Sequence, residues 1–289
     1  YNKSNIYPIN VSDEKLMHLS RTFNCQIEKM PFTYLGLPMG THKPMVEDFL
    51  PIVHKIEKRL TCTSNFLSLA GKLQMVNSVL SAIPSYSMGT LKLPKAVIQQ
   101  IDSYRRHCLW RGHDLQSKKP PLVAWEVVTK PKSKGGLGVL SLEDQNDALL
   151  MKFLHKFYNR QDIPWVTLIW ENHYRGDKLP DGKLKGSFWW KQVLKLIPKF
   201  KVLSIPKIGD GRSISFWDDN WNNGTPKEQF PELYSFTLLA NASVSKAILG
   251  QRHGNPWKHD ASVHGRVFGK YAIFGHEQMV RQLVRLGSR

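Results

Sequence analysis

Residues 45–60 read MVEDFLPIVHKIEKRL, and the apolar residues of this stretch recur with the spacing of an α-helix. The side chains that share the apolar face are Phe49, Ile52, Val53, Ile56 and Leu60. Lys55, Lys58 and Arg59 fall mostly off that face. A helix of this kind buries its apolar stripe and turns its charges toward solvent, so the stretch predicts one member of a packed helical unit.

Two further helices are predicted downstream. Ser64 or Asn65 can cap the first, because either side chain accepts hydrogen bonds from unpaired backbone amides. Its periodic apolar residues are Leu69, Leu73, Val76, Val79 and Leu80. Pro84 interrupts or kinks this helix, whereas Pro94 fits the first turn of the next one. The apolar face of that third helix consists of Val97, Ile98, Ile101, Tyr104, Cys108 and Leu109.

The segments on either side add a small β content. Strands are expected at residues 4–11, 32–38 and 137–140, and a β-hairpin at residues 204–217 around the turn Gly209-Asp210-Gly211. Ser12 and Ser141 are placed to begin helices, and the remaining helical segments are expected at residues 12–21, 148–158, 165–170 and 188–196. The sequence therefore predicts an α+β chain that is predominantly α.

The charge of the chain indicates a polyanionic partner. Its 289 residues contain 41 Lys and Arg against 23 Asp and Glu, a formal net charge of +18. Such an excess destabilises a compact chain by self-repulsion, and phosphate contacts relieve it. Nucleic acid is the first candidate, an anionic membrane surface is the second, and a basic protein without a particular partner is the third.

Several other classes of protein are disfavoured. The cysteines, Cys25, Cys62 and Cys108, are odd in number and widely spaced, which does not suggest a disulfide framework. No apolar run reaches the ~18 residues of a transmembrane helix, and the amino-terminal residues do not form a signal peptide. We therefore expect an intracellular protein, nuclear or cytoplasmic, without a membrane partner or a small-molecule substrate.

Three motifs are considered as chemical sites and set aside. Asp218 and Asp219 form a Phe-x-Asp-Asp string, but adjacent aspartates are common in tight turns. The glycines at residues 135–138 lack the Lys-Ser/Thr pair or the spacing of a phosphate loop. The histidines near the carboxyl end and the cysteines match no tetrahedral zinc spacing. No catalytic residue and no metal ligand is predicted.

Five segments, in order, carry a resemblance to one family. They are FTYLGLPMG (32–40), FLSLAGKLQMVNSVLSAIPSYSM (66–88), LKLPKAVIQQIDSYRRHCLWRG (91–112), KPPLVAWEVVTKPKSKGGLGVLSLEDQNDALLMKFL (119–154) and IGDGRSISFWDDNW (208–221). Together they resemble the carboxy-terminal part of a plant LINE-type (non-LTR) retrotransposon reverse transcriptase, over roughly residues 1–248.

The resemblance implies a layout. Residues 1–42 are expected to be a palm remnant with a primer-grip-like strand, in which Tyr34, Leu35 and Gly36 resemble the primer-grip hairpin. Residues 43–115 are expected to be a helical thumb that holds a template–primer duplex. Residues 116–175 are expected as a mixed connector, 176–248 as a linker region with the β-hairpin, and 249–289 as a divergent, disordered tail. The family's catalytic Tyr/Phe-x-Asp-Asp motif would fall before Tyr1, and its zinc-binding module does not appear. The parent enzyme would use Mg²⁺, but no cofactor is expected in this chain.

Basic residues are the predicted contacts to template–primer RNA or DNA, and most of them cluster in the helical segment. The predicted set is Lys3, Lys58, Arg59, Lys72, Lys92, Lys95, Arg105, Arg106 and Arg111. Three functional hypotheses follow. The chain is a fragment of an RNA-directed DNA polymerase that is inactive alone, a stand-alone basic module that binds nucleic acid or protein, or an inert product that does not fold stably.

Overall fold

The computed structural model describes residues 4–63, 67–111, 120–174, 179–180, 184–221, 224–237 and 240–249, with the side chains of 61–63 and 248–249 excepted. The chain divides into two compact units, residues 1–150 and residues 151–289. The predictions for Lys3, for a cap at Ser64 or Asn65, and for residues 250–289 lie outside the described residues. The five-part domain division of the sequence stays a prediction.

Two pairs of short strands open the amino-terminal unit. β1 (Asn5–Ile6) pairs in parallel with β2 (Gln26–Ile27), and α1 (Asp13–Phe23) connects them. β3 (Phe32–Tyr34) and β4 (Leu37–Met39) form an antiparallel hairpin where a single strand was predicted. Leu35 and Gly36 occupy its turn with φ of 49° and 78°, and two consecutive positive φ angles suit the right-handed twist of a hairpin.

The helical part of this unit surrounds one hydrophobic core. Its elements are α2 (Leu50–Thr63), α3 (Leu69–Met75), a π-helical turn (Val76–Leu80), α4 (Ser85–Met88) and α5 (Lys95–Trp110). Phe49 and the buried residues of α2, Val53, Ile56 and Leu60, are at most 1% exposed, as the apolar spacing predicted. Leu69 was predicted on the apolar face of the second helix, but it is 59% exposed. It is the first residue of α3, directly after the cap Ser68.

The amino-terminal unit ends with α6 (Trp125–Val128), a 3-10 turn (Lys132–Lys134) and the first half of α7 (Leu142–Tyr158). The strand predicted at residues 137–140 is wrong, since these residues are irregular. The amides of Leu137 and Gly138 donate back to the carbonyl oxygens of Val128 and Lys130, and Gly138 has a φ of +70°. The backbone is therefore engaged in a local turn instead of a sheet ladder.

Aromatic side chains form much of the core of the carboxy-terminal unit. Its helices are the second half of α7, α8 (Pro164–His173), α9 (Phe188–Leu194), α10 (Ile197–Leu203), α11 (Pro226–Gln229), α12 (Pro231–Ser235) and α13 (Val244–Leu249). Phe157 and Trp170 stack with ring centres 4.5 Å apart, and Trp190 is 1% exposed. The predicted helix at residues 188–196 is observed but ends two residues earlier.

The β-hairpin predicted at residues 204–217 is wrong. Ser215 instead forms an isolated antiparallel bridge with Ser243, because Phe216 donates to Ala242 and Val244 donates to Ile214, each at 2.9 Å. Val244 packs with Ile214 and Trp221, so apolar contact with a later segment replaces the local pairing.

The predicted class, α+β and predominantly α, is confirmed by the helices and the two small sheets. Among the described residues, no helix combines the length and the apolar character that crossing a bilayer requires.

Candidate nucleic-acid interface

The outward face of α2 is basic. Lys55, Lys58 and Arg59 are exposed, while Val53 and Ile56 point into the core. Residues at i, i+3 and i+4 share one side of a helix, so these three cations lie on neighbouring positions. The helix thus presents positive charge to solvent on the side away from its buried stripe.

The other predicted cations of the helical segment differ in exposure. Lys95, at the start of α5, is exposed, whereas Lys72, Arg106 and Arg111 are half-buried. Lys72 lies close enough to the buried Cys108 to favour its thiolate, although burial is the larger effect and raises the pKa of that thiol to about 11. These four residues remain candidates for phosphate contact.

Arg105 is not a surface cation, which corrects its predicted role. Its side chain is completely buried, and its guanidinium donates to Asp102 at 2.6 Å, to the Ser81 hydroxyl at 2.9 Å and to the Leu140 carbonyl oxygen at 2.8 Å. Burial lowers the pKa of the Arg105 guanidinium, and the nearby Asp102 opposes this shift. A phosphate cannot reach a group that the core encloses.

Lys92 also has an ion-pair partner within the fold. Its ammonium group forms an ion pair with Asp147 of α7, and both side chains are largely buried. The neighbouring Asn146 is fully buried, accepts a hydrogen bond from the Leu93 amide, and donates to the carbonyl oxygens of Met88 and Leu91. The predicted phosphate contact at Lys92 therefore competes with an intramolecular partner.

A second basic element was missed by the sequence reasoning. Lys130, Lys132 and Lys134 are exposed on the tight turn at residues 129–136, here called the lysine turn. Gly136 is required at its end, because a Cβ atom there would lie 2.0 Å from the carbonyl oxygen of Lys130. No Asp or Glu occurs between residues 127 and 142, a signal that was available in the sequence.

Arg105 fixes the two flanks of the lysine turn. Its guanidinium carbon lies 5.3 Å from the centre of the Trp125 ring, ahead of the turn, and it also donates to Leu140, after the turn. Trp125 and Val128 belong to the same buried cluster as Val53 and Ile56 of α2. The lysine turn and the basic face of α2 are therefore anchored to one core.

The predicted primer-grip residues lie at the exposed tip of the β3–β4 hairpin. Tyr34 is 59% exposed and Leu35 is 71% exposed. The structure thus leaves an apolar tip in solvent, and the role predicted for Tyr34, Leu35 and Gly36 rests on the resemblance alone.

The paired aspartates of the carboxy-terminal unit have partners within the fold. Asp219 accepts the Ser215 amide at 2.6 Å and pairs with Lys201 at 2.8 Å, and Asp218 lies 3.5 Å from Lys227. Within the residues that the structure describes, no three His, Cys, Asp or Glu side chains are grouped to hold a metal ion. The two aspartates therefore connect their segment to Lys201 of α10 and to Lys227 of α11.

The comparisons with known proteins show a similarity to a plant protein. No family model matches this chain. The chain is similar to a protein of Arabidopsis thaliana named "Putative ribonuclease H protein At1g65750", with 33% identity over 189 residues. The similarity covers 62% of this chain and spans only 30% of the length of the relative.

This relative overturns the recognition made from the sequence. The sequence motifs resemble a LINE-type reverse transcriptase, but the relative carries the name of a ribonuclease H protein. The recognition is therefore wrong on this comparison, and so is the function drawn from it, a template–primer-binding fragment of an RNA-directed DNA polymerase. The exposure of the basic residues is observed in the structure and does not depend on that resemblance.

Proposed function

We propose that this chain binds nucleic acid through its basic surface, defined as Lys55, Lys58 and Arg59 of α2 together with Lys130, Lys132 and Lys134 of the lysine turn. The observation that carries the proposal is the anchoring of both basic elements to one hydrophobic core. Cations that are held by a fixed backbone lose less freedom on binding than cations on a mobile tail.

The charge of the chain supports a phosphate backbone as the partner. Lys and Arg side chains that neutralise phosphates release condensed counterions, and this release supplies most of the sequence-independent affinity. Six exposed cations on two elements provide such contacts without reading base edges. We therefore expect weak sequence preference and a steep dependence of affinity on salt.

The name of the Arabidopsis relative supports a more specific ligand. A ribonuclease H acts on the RNA strand of an RNA–DNA hybrid, so a hybrid duplex is the first ligand to test. The similarity spans 30% of that relative, and the role proposed for this chain is binding of the duplex.

The test measures binding of the full chain to a fluorescently labelled RNA–DNA hybrid by anisotropy, over a series of salt concentrations. The variant replaces Lys130, Lys132 and Lys134 by Gln. Its matched control replaces Lys15, Lys29 and Lys43, three exposed lysines of the same unit, by Gln.

We expect the slope of log K against log salt to fall by about 2–3 for the lysine-turn variant, since each lost phosphate contact removes about 0.7–0.9. The control should change the slope by less than about 1. Equal losses in the two variants, or the absence of salt-dependent binding by the unaltered chain, would refute the proposal. Single-stranded RNA and double-stranded DNA of equal length measure the preference for the hybrid.

A further inference from the structure

The carboxy-terminal unit contains a cleft of about 600 Å³. Its walls come from the end of α7, from α10, from the irregular segment at residues 204–214, and from Asp219 and Asn220. This volume lies within the range of about 300–1,000 Å³ that is typical of sites for small ligands. The cleft was not predicted from the sequence, because it forms where the end of α7 meets a segment that begins about forty residues later.

The charges on the walls favour an anion. The negative charge of Asp219 is already balanced by Lys201 at 2.8 Å and by the Ser215 amide. Asp210 accepts the amide of Arg212 at 3.0 Å, and the Arg212 side chain lies 3.8 Å away. Arg160 and Lys207 add two more positive charges to the lining. The acids of the cleft are thus compensated by neighbours, and the lining is positive on balance.

The backbone of Arg160 adopts an unfavourable left-handed conformation. Its φ of 44° lies in the left-handed region, where a side chain costs about 1–2 kcal/mol and where glycine or asparagine is usual after a helix. Its guanidinium carbon lies 4.1 Å from the centre of the Trp170 ring. The left-handed residue ends α7, since the amides of Arg160 and Gln161 donate to the carbonyl oxygens of Phe157 and Lys156, and this turn places Arg160 at the edge of the cleft.

An aromatic wall adjoins these cations. Tyr158 and Phe200 line the cleft, with ring planes within 5° of parallel and ring centres 5.7 Å apart. Flat heterocycles stack on such rings, and base–aromatic stacking stabilises binding by about 1–3 kcal/mol per base.

We propose that this cleft binds a nucleoside monophosphate unit, with its phosphate at Arg160 and Lys207 and its base against Tyr158 and Phe200. The unit is either a free nucleotide or an unpaired nucleotide within a strand, since both present the same phosphate and base. The cleft and the basic surface belong to different units of the chain, so the proposal does not depend on duplex binding.

The test is equilibrium dialysis of the full chain against labelled AMP, with adenosine and inorganic phosphate measured separately. The first variant, Lys207→Glu, reverses an exposed charge of the cleft. Its matched control, Lys195→Glu, reverses an exposed charge of the same unit outside the cleft. The second variant, Arg160→Gly, removes the cation and relieves the left-handed strain.

We expect saturable binding of AMP that is at least about tenfold tighter than binding of adenosine or phosphate, because two separate contacts contribute. Lys207→Glu should weaken it at least about tenfold, and Lys195→Glu by less than about twofold. Arg160→Gly should weaken AMP binding. Its melting temperature should fall by no more than the melting temperature of the Lys195→Glu control falls. AMP binding no tighter than phosphate binding, or equal effects of the two Glu variants, would overturn the proposal.

Competition with oligonucleotides shows whether the bound unit is a free nucleotide or part of a strand. Measuring each variant with both ligands separates this proposal from duplex binding. If the ligand is part of a strand, a short single-stranded oligonucleotide competes with AMP and an abasic one does not. If it is a free nucleotide, neither competes. Lys207→Glu should leave hybrid-duplex affinity within about twofold, and the lysine-turn variant should leave AMP affinity unchanged, so that either proposal can fail alone.

Discussion

The guanidinium of Arg105 lies over the ring of Trp125, with its carbon 5.3 Å from the ring centre. The same group donates to the Leu140 carbonyl oxygen, fifteen positions after Trp125. One buried cation therefore joins α5 to both flanks of the lysine turn. This relationship links the stability of the core to the placement of three exposed lysines and gives the first prediction.

Replacing Arg105 by Ala should lower the free energy of unfolding by about 3 kcal/mol, because it leaves Asp102, Ser81 and the Leu140 carbonyl oxygen without their partner. Urea denaturation followed by circular dichroism measures the change. Lys95→Ala, an exposed change on the same helix, should alter it by no more than about 0.5 kcal/mol. A loss below about 1 kcal/mol for the Arg105 variant would contradict the anchoring role.

Gly136→Ala should destabilise the amino-terminal unit by about 3 kcal/mol, because the new Cβ atom would meet the Lys130 carbonyl oxygen at 2.0 Å. Gly135→Ala is the control, since a Cβ there meets nothing within 4 Å and only its φ of +79° is strained. That variant should cost about 1 kcal/mol. Thermal unfolding compares the two, and an equal or larger effect at Gly135 would show that the turn is not packed as described.

Asn146→Ala should lower the free energy of unfolding by about 3 kcal/mol, because it leaves the Leu93 amide and the carbonyl oxygens of Met88 and Leu91 unpaired in the interior. Asn172→Ala on α8 removes an exposed amide and serves as the control, with an expected change of about 0.5 kcal/mol or less. Chemical denaturation measures both. Similar values for the two variants would count against the network.

Cys108 should resist alkylation in the folded chain. Burial raises the pKa of its thiol from 9.0 to about 11, so its thiolate fraction at pH 8 is about 100-fold lower than in the unfolded chain. Mass spectrometry after iodoacetamide treatment, with and without urea, measures the modification of the peptide that contains Cys108. Modification at comparable rates in the two conditions would contradict the assigned burial.

The same shift predicts a pH dependence of stability. The unfolded chain releases the Cys108 proton near pH 9 and the folded chain only near pH 11, so this thiol lowers stability as pH rises through that interval. The control is Cys108→Ala, which removes the titrating group. The variant should lose less stability between pH 9 and pH 11 than the unaltered chain, and an identical pH profile would exclude the effect.

Some features of the chain could be predicted because they depend on local spacing. The apolar period of residues 45–60 correctly placed Val53, Ile56 and Leu60 in the core. Local spacing misled the prediction for residues 204–217. Their turn residues suit a hairpin, but Ser215 pairs with the distant Ser243, which no local pattern shows. Sequence motifs also led to a reverse transcriptase, which the relative named as a ribonuclease H protein contradicts.

The sequence by itself determined the helical character of the chain, the residues of its first core and the excess of positive charge, because these follow from spacing and composition. Only the tertiary structure decided which cations are exposed. Arg105 lies four positions from both Ile101 and Leu109 on the apolar face of α5, where a long side chain can still reach solvent, yet the fold encloses its guanidinium between Asp102, Ser81 and Leu140. Long-range packing sets the cost of desolvating a charge, and no local pattern contains that information.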